Sequence, residues 1–222
     1  MEQESKYIFD LDGTLYRFSL DGSVTFGDST FYADLKTRVV RFLADSLGMA
    51  DEAARTLAVE LDQKFNGELG IGVEKTLGID RYAYYEATWK CDPATYIAKD
   101  EQLSAALQEF AGCALLLTAA PKVWAQDVLD YLGVAEVFGS NVITGEPDLR
   151  KPDQQVFAQA TEKLGAPPAN ITSIGDQNYS DILPAKQLGM KTIIIGPSLQ
   201  DADYRVDDIY DALALITKRD YP

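Results

Sequence analysis

The sequence predicts an α/β fold, a doubly wound parallel sheet with a small helical domain inserted after its first strand. Short apolar runs alternate with amphipathic segments from about residue 93 onward, whereas residues 16–92 lack a strongly strand-like run. Strands that alternate with helices pair in parallel, with helices on both faces of the sheet. We therefore assign 1–15 and 93–222 to a Rossmann-like α/β core and 16–92 to a helical cap.

The first strand is short and is followed by polar residues. Tyr7, Ile8 and Phe9 form a run too apolar for an ordinary loop, and Gly13 breaks the pattern. The next segments have helical spacing, with Gly48 as a stop signal for the first of them. The predicted cap helices are "DLKTRVVRFLADSLGM" (34–49), "DEAARTLAVELDQKF" (51–65) and "DRYAYYEATWK" (80–90). We interpret "GELGIGVEKTLG" (67–78) as a turn, since no strand precedes it and it lacks the lysine spacing of a P-loop.

Predicted strands and helices alternate in the second half of the chain. A helix is predicted from Pro121 to about Leu132, and another contains Pro152 near its first turn. The predicted strands are "CALLLTAA" (113–120), "NVITG" (141–145), "NITSIGD" (170–176) and "KTIIIG" (191–196). The remaining predicted helices are "KPDQQVFAQATEKLG" (151–165), "SDILPAKQLG" (180–189) and one within "DDIYDALALIT" (207–217).

Composition excludes several classes of function. The net charge of −15, with no basic patch, argues against a nucleic-acid polymer or an anionic membrane as partner. No histidine is present, which excludes hydrolases with a histidine base and most zinc hydrolases. The polar start and the lack of a membrane-length apolar run predict neither a signal peptide nor a span. Two cysteines suggest a reducing compartment, and we expect a cytoplasmic protein of undetermined oligomeric state.

Asp10 and Asp12 end the first strand with only one residue between them. Two close carboxylates in a partly buried position repel, so the pair requires a cation or a shared proton. A simple Asx turn is the plain alternative. A calcium-binding loop is excluded, because Gly13 comes too early for that motif and a strand rather than a helix precedes the two aspartates.

Other polar residues follow later strands of the same predicted sheet. Thr118 ends the second strand, Asp176 ends the "ITSIGD" strand, and Lys151 begins a helix after "NVITG". Ligands of parallel α/β sheets bind beyond the carboxyl ends of the strands. We therefore expect these groups to converge at one edge, although each alone also fits an ordinary strand-end, surface or helix-cap residue.

Four segments in order, "DLDGT", "LLLT", "RKPD" and "IGDQNYSD", resemble the motifs of the haloacid dehalogenase superfamily. The resemblance covers residues 5–15 and about 93–200, and the insertion resembles a mobile cap that closes over the cleft. It implies that Asp10 attacks phosphorus and forms a covalent aspartyl phosphate. It also implies that Asp12 protonates the leaving oxygen and then takes a proton from the attacking water.

The same resemblance assigns the remaining site residues and a Mg²⁺ cofactor. Thr118 and Lys151 would hold the phosphoryl oxygens, with lysine neutralising the developing charge. Asp176 would bind Mg²⁺ together with Asp10 and the backbone carbonyl of Asp12. Asp181 would support metal-bound water or orient Lys151. Asp181 also has a plain alternative, a carboxylate at the start of a helix.

Asp12 indicates the reaction type, because an alkoxide needs a proton to leave and a halide does not. The resemblance therefore implies a phosphatase that acts on a small phosphorylated metabolite. A sugar phosphomutase and a catalytically silent binding member are the alternatives. Ala119 occupies a position where the family often carries asparagine. "DGTLY", "DPATYI" and "YLGVAEVF" are most similar to the pyrimidine 5′-nucleotidase branch.

A cluster of aromatic residues in the cap has two interpretations. Tyr82, Tyr84, Tyr85 and Trp89 could line a substrate pocket or pack in the core of the helical domain. Aromatic residues at helical spacing are more often core residues, so we favour core packing.

Overall fold

The computed structural model describes residues 5–18, 20 and 25–217. The chain divides into two compact units, one formed by Met1–Arg17 with Ile97–Pro222 and the other by Phe18–Tyr96. The predicted boundaries, after residues 15 and 92, lie a few residues before the observed ones. We call the first the α/β unit and the second the helical unit.

The α/β unit contains a parallel sheet, with β1 at its centre. Its strands in the described residues are β1 (Lys6–Phe9), β2 (Ala114–Leu117), β3 (Val142–Ile143), β4 (Ile171–Gly175), β5 (Lys191–Ile195) and β6 (Tyr204–Val206). Their order is β3-β2-β1-β4-β5-β6, and each neighbouring pair is parallel. Phe9 lies opposite Leu116 of β2 and Ile174 of β4. The predicted fold class is confirmed.

The helical unit packs around aromatic side chains. Its helices in the described residues are α1 (Thr30–Leu47), α2 (Asp51–Lys64), α3 (Leu69–Leu77) and α4 (Arg81–Trp89). Phe31 is fully buried and lies within ring contact of Trp89 and Tyr96, with centroids 5.6 and 5.1 Å away. Gly48 ends α1 in the left-handed conformation at φ 63°, as the sequence predicts.

The aromatic residues of the helical unit that the sequence analysis singled out are mostly core residues. Tyr84 and Tyr85 are buried with their rings 5.3 Å apart, and Trp89 stacks on Phe26. Tyr82 differs, since 55% of it is exposed. Core packing is therefore observed for the other aromatics of this segment, whereas Tyr82 faces solvent.

The α/β unit places helices between its strands. They are α5 (Leu103–Leu107), α6 (Lys122–Leu132), α7 (Ala135–Phe138), α8 (Gln154–Leu164), α9 (Leu183–Gln187) and α10 (Ile209–Ile216). Strands β1, β2 and β4 are almost wholly buried, and Phe157 of α8 packs with Ile8 and Leu115 in one apolar cluster. No helix in the described ranges is both long and apolar enough to cross a membrane.

Several predicted element boundaries were wrong. Helix α8 begins at Gln154, because the Asp153 carboxylate accepts a hydrogen bond from the Gln155 backbone N–H and caps it. Pro152 therefore lies before the helix. The segment from residue 180 is not one α-helix, since a π-helical turn at Asn178–Ile182 precedes α9.

The sequence analysis missed helix α3 and strand β6, as well as the short helices α5 and α7. Helix α3 occupies the predicted turn, because Gly70 and Gly72 let the rings of Tyr85 and Phe65 approach the helix backbone closely. A Cβ atom at Gly70 would lie 2.5 Å from the Tyr85 ring. Strand β6 is short, partly exposed and at the sheet edge, so it leaves no apolar run to detect.

Candidate active site

The carboxyl ends of the central strands bring three predicted site residues to one edge of the sheet. Asp10 follows β1, Thr118 follows β2 and Asp176 follows β4. The Asp10 backbone N–H donates to the Ile174 carbonyl at 2.9 Å, which continues the pairing of β1 with β4 beyond the last strand residue. The parallel sheet thus explains why residues far apart in the chain meet here.

Lys151 joins the buried carboxylates of this edge. Its Nζ donates to Asp10 Oδ1 and to Asp181 Oδ1, each at 2.6 Å, and only 3% of the lysine side chain is exposed. Thr14 Oγ1 donates to the second Asp10 oxygen at 2.9 Å. Asp181 is held in turn by the Gln177 backbone N–H at 2.9 Å. Lys151 lies in the loop before α8, and Asp181 in the π-helical turn after β4.

Asp176 lies against the turn that follows β1. Gly13 has φ 86°, and a Cβ atom there would lie 2.2 Å from Asp176 Oδ2. The glycine therefore supplies both the left-handed backbone and the space for the carboxylate. Asp176 Oδ1 is buried and has no hydrogen-bond partner among the described residues. An anionic oxygen buried without a donor is costly unless a cation or proton neutralises it.

Asp12 is partly buried and accepts hydrogen bonds from two aromatic side chains. The Tyr16 hydroxyl donates to Asp12 Oδ1, and Trp124 Nε1 donates to the same oxygen at 3.0 Å. Thr118 Oγ1 approaches the other Asp12 oxygen at 3.5 Å and accepts a bond from the Ala120 backbone N–H. Asp12 and Asp10 thus have separate sets of partners, although one residue separates them in sequence.

Burial raises the pKa values of three acids at this edge. Burial raises the pKa of Asp10 to about 7 against the opposing effect of Lys151, and Asp181 and Asp12 add to the rise. Burial, with Asp10 and Asp181, raises the pKa of Asp176 to about 8. Burial also raises the pKa of Asp12, with the bonds from Tyr16 and Trp124 opposing it. The ammonium of Lys151 lowers the pKa of Asp10 and of Asp176, but the effect of burial is larger.

The carboxylates are suited to a hard cation. Ligand oxygens of Asp10, Asp176 and Asp181 lie within 4.8 Å of one another. Together with the unpartnered Asp176 Oδ1, this oxygen set fits Mg²⁺, which prefers carboxylate and water ligands. The cluster includes Asp181, whereas the predicted ligand set included Asp12 through its backbone carbonyl. Asp181 already accepts from Lys151 and Gln177, so its observed contacts are those of a residue that orients the lysine.

Sequence reasoning missed three residues of this edge. Thr14, Tyr16 and Trp124 contact the two predicted aspartates, but each has an ordinary place in the sequence pattern. Tyr16 continues the apolar segment after Gly13, and Trp124 falls on the buried face of α6. Ala119, where the resemblance leads one to expect asparagine, is exposed and offers only a methyl group.

Comparisons with known proteins identify the family. The family model described as haloacid dehalogenase-like hydrolase matches residues 7–189. A glyceraldehyde 3-phosphate phosphatase from Methanopyrus kandleri is 34% identical over 90 residues, which are 40% of this chain and 38% of that protein. The aligned part thus spans well under half of this relative.

Solved structures share the fold across nearly the whole chain. A HAD phosphatase from Thermococcus onnurineus has a TM-score of 0.64 at 20% identity, covering 96% of this chain and 98% of that one. YfnB, a HAD-hydrolase from Bacillus subtilis bound to magnesium, has a TM-score of 0.60 at 14% identity, covering 97% and 100%.

A 2-haloacid dehalogenase from Pseudomonas syringae pv. Tomato DC3000 has a similar TM-score of 0.61, at 16% identity and with 96% and 98% covered. The fold alone therefore does not separate phosphatases from dehalogenases. The family match over most of the chain, together with the motif residues gathered at the sheet edge, shows that this protein belongs to the haloacid dehalogenase-like hydrolases.

Proposed function

We propose that this protein is a Mg²⁺-dependent phosphomonoester hydrolase that works through an aspartyl-phosphate intermediate on Asp10. The observation that carries the proposal is the buried Asp10 carboxylate, 2.6 Å from Lys151 Nζ and clustered with an Asp176 oxygen that lacks a protein partner. In the proposed reaction Asp10 would be the nucleophile, Lys151 a fixed positive charge and the Asp176 oxygen a ligand for a cation.

The proposed reaction has two displacements at phosphorus. A carboxylate oxygen of Asp10 attacks phosphorus while the bond from phosphorus to the leaving oxygen breaks, and Asp12 gives its proton to that oxygen. Water then attacks the phosphorus of the aspartyl phosphate, and its proton returns to Asp12 as the Asp10 carboxylate is released. The raised pKa of Asp12 suits it to the first step, which requires a protonated carboxyl group.

Other residues of the sheet edge would bind the phosphoryl group and the cation. Lys151, fixed by Asp181, would bind a phosphoryl oxygen and offset the charge that develops on it. Thr118 would contribute its hydroxyl to the same group. Mg²⁺ would be held by Asp10, Asp176 and the Asp12 backbone carbonyl. The bound cation would let an anionic nucleophile approach an anionic substrate.

The preference for a phosphatase over a dehalogenase rests on Asp12. A halide leaves without a proton, so a dehalogenase needs no carboxyl acid at this position, whereas an alkoxide does. The named activity of the Methanopyrus kandleri relative supports a small phosphorylated metabolite as substrate.

The proposal is tested with p-nitrophenyl phosphate and a panel of phosphorylated metabolites, with Mg²⁺ or with a chelator. We expect release of inorganic phosphate with Mg²⁺, loss with chelator and recovery when Mg²⁺ is restored. Conversion of a sugar phosphate into its isomer without phosphate release would indicate a mutase. No turnover of any compound would indicate a silent member.

A glycine variant tests the cation site. In Gly13→Ala the new methyl group would collide with Asp176 Oδ2, so we expect a sharply raised Mg²⁺ requirement or loss of activity. Gly165→Ala is the matched control, since Gly165 also has positive φ but has no heavy atom of another element near its missing Cβ. Equal Mg²⁺ dependence of the two variants would contradict the assignment of Asp176.

A further inference from the structure

Trp124 brings a donor from α6 into contact with the Asp12 carboxyl. Its side chain is fully buried, and Nε1 lies 3.0 Å from Asp12 Oδ1 and 3.1 Å from the Tyr16 hydroxyl oxygen. The Tyr16 hydroxyl also reaches Asp12 Oδ1. Three side chains from two segments of the α/β unit thus form a closed triangle of polar contacts.

The donor and acceptor capacity of the three groups determines the direction of each hydrogen bond. An indole N–H can only donate, so the Tyr16 oxygen accepts from Trp124. The hydroxyl hydrogen of Tyr16 is then left to point at Asp12, and it does so as the donor to Oδ1. Trp124 shares its one N–H hydrogen between the Tyr16 oxygen and Asp12 Oδ1, so both aromatic residues donate toward the same carboxyl oxygen.

The two carboxyl oxygens of Asp12 consequently differ in their hydrogen-bond partners. Oδ1 accepts from two donors, whereas Oδ2 is approached by Thr118 Oγ1 at 3.5 Å, the long limit of a hydrogen bond. A carboxyl proton avoids the oxygen at which two donor hydrogens already point. In the protonated acid the hydrogen therefore belongs on Oδ2.

We propose that Tyr16 and Trp124 are positioning residues that hold Asp12 by Oδ1 and so direct its transferable proton onto Oδ2. The inference deepens the proposed function and rests on it. During the first displacement the Oδ2–H bond breaks, the proton joins the leaving oxygen, and the resulting carboxylate keeps both donors on Oδ1. These donors also stabilise the charge that Asp12 gains in that step.

The test removes each donor and varies how much the leaving group needs a proton. Trp124→Phe and Tyr16→Phe keep an aromatic ring and remove the N–H or O–H. Phenyl phosphate and p-nitrophenyl phosphate are similar in shape, but phenolate is the stronger base and depends more on the acid. The ratio of their kcat/KM values reports acid catalysis, whereas general damage to the fold lowers both alike.

We expect each variant to lose about tenfold in kcat/KM for phenyl phosphate and much less for p-nitrophenyl phosphate, since general acid catalysis contributes about 10²–10⁴-fold in all. Tyr131→Phe is the matched control. Its hydroxyl donates to the Ile97 carbonyl at 3.1 Å from the same helix as Trp124, away from Asp12. This control should keep the wild-type ratio.

A double-mutant cycle provides a second measurement. In an Asp12→Asn background, which has no acid proton to place, Tyr16→Phe should cause little further loss, because it acts through Asp12. Equal loss on both substrates, no loss, or a full additional loss in the Asp12→Asn background would overturn the inference. Wild-type protein that hydrolyses neither substrate would overturn the proposed function itself, and the two failures are therefore distinct.

Discussion

The α/β unit and the helical unit bury charged side chains in different ways. At its sheet edge the α/β unit buries Asp10, Lys151 and Asp181 together, with two carboxylates on one ammonium. In the helical unit the buried cation Arg81 pairs with Glu74 through Nε at 2.8 Å, and aromatic rings fill much of the interior.

The two regions differ in the number of carboxylates that face each buried cation. In the Arg81–Glu74 pair one cation faces one carboxylate, so the two charges offset each other. The sheet edge instead keeps an excess of carboxylates, and the pKa of Asp176 rises to about 8 mainly because that carboxyl is buried. Buried carboxyl groups with raised pKa values are typical of functional sites.

The largest expected effect comes from the nucleophile. Asp10→Asn should lower kcat/KM for p-nitrophenyl phosphate by at least about a thousandfold, because an amide oxygen forms no aspartyl phosphate. Asp130→Asn, an exposed change on α6, is the control and should keep wild-type activity. Comparable activity of the two variants would remove the distinction between the sheet edge and the rest of the molecule.

The aromatic core of the helical unit should matter for stability. Phe31→Ala removes a fully buried ring that contacts Trp89 and Tyr96, and we expect a loss of about 3–5 kcal/mol in the free energy of unfolding. Leu47→Ala, at the exposed end of the same helix, should change it by less than about 0.5 kcal/mol. Denaturant titration measures both. Similar losses would show that the ring is not part of the core.

The sheet edge should also depend on the Lys151 ammonium. Lys151→Met leaves Asp10 and Asp181 without their shared cation, so we expect a destabilisation of about 3 kcal/mol in the absence of Mg²⁺. Lys122→Met removes an exposed lysine at the start of α6 and serves as the control. If denaturant midpoints of the two variants coincide, the buried bridge is not a stabilising element.

The smallest effect concerns a carboxylate remote from the proposed chemistry. Burial alone would raise the pKa of Asp203, but bonds from Lys186 and Thr192 outweigh it and lower the pKa below its ordinary value of 3.8. Its contribution to stability is therefore complete above pH 3.8 and is lost as pH falls through the lowered value.

Asp203→Asn should cost less than about 1 kcal/mol near neutral pH, because the ion pair with Lys186 is partly exposed. The difference in unfolding free energy between wild type and variant should shrink as the pH falls below about 4. A difference that stays constant between pH 7 and pH 2 would contradict the assigned shift.

The fold and the main site residues follow from the sequence because parallel strands end at one edge. Apolar runs identify β1, β2 and β4, and the polar residues after them are then placed together by topology. The hydrogen bonds of Tyr16 and Trp124 to Asp12 were not predictable in the same way. They depend on how α6 packs beside the first turn, and an aromatic residue in a helical pattern indicates only burial.

Helix α3 and strand β6 show a second limit of sequence patterns. Glycines normally argue against a helix, but Gly70 and Gly72 occur where neighbouring rings occupy the space of a side chain. Strand β6 depends on pairing with β5 rather than on its own residues. In both cases tertiary contacts, which the sequence pattern does not display, determine the local structure.

The central claim is that Asp10 becomes phosphorylated during turnover. The most direct measurement is mass spectrometry of peptides from wild-type protein quenched in acid during turnover of p-nitrophenyl phosphate with Mg²⁺. We predict one phosphoryl group on Asp10, absent from samples without Mg²⁺ and from Asp10→Asn. Steady release of phosphate with Asp10 unmodified, and with Asp10→Asn as active as wild type, would contradict the account.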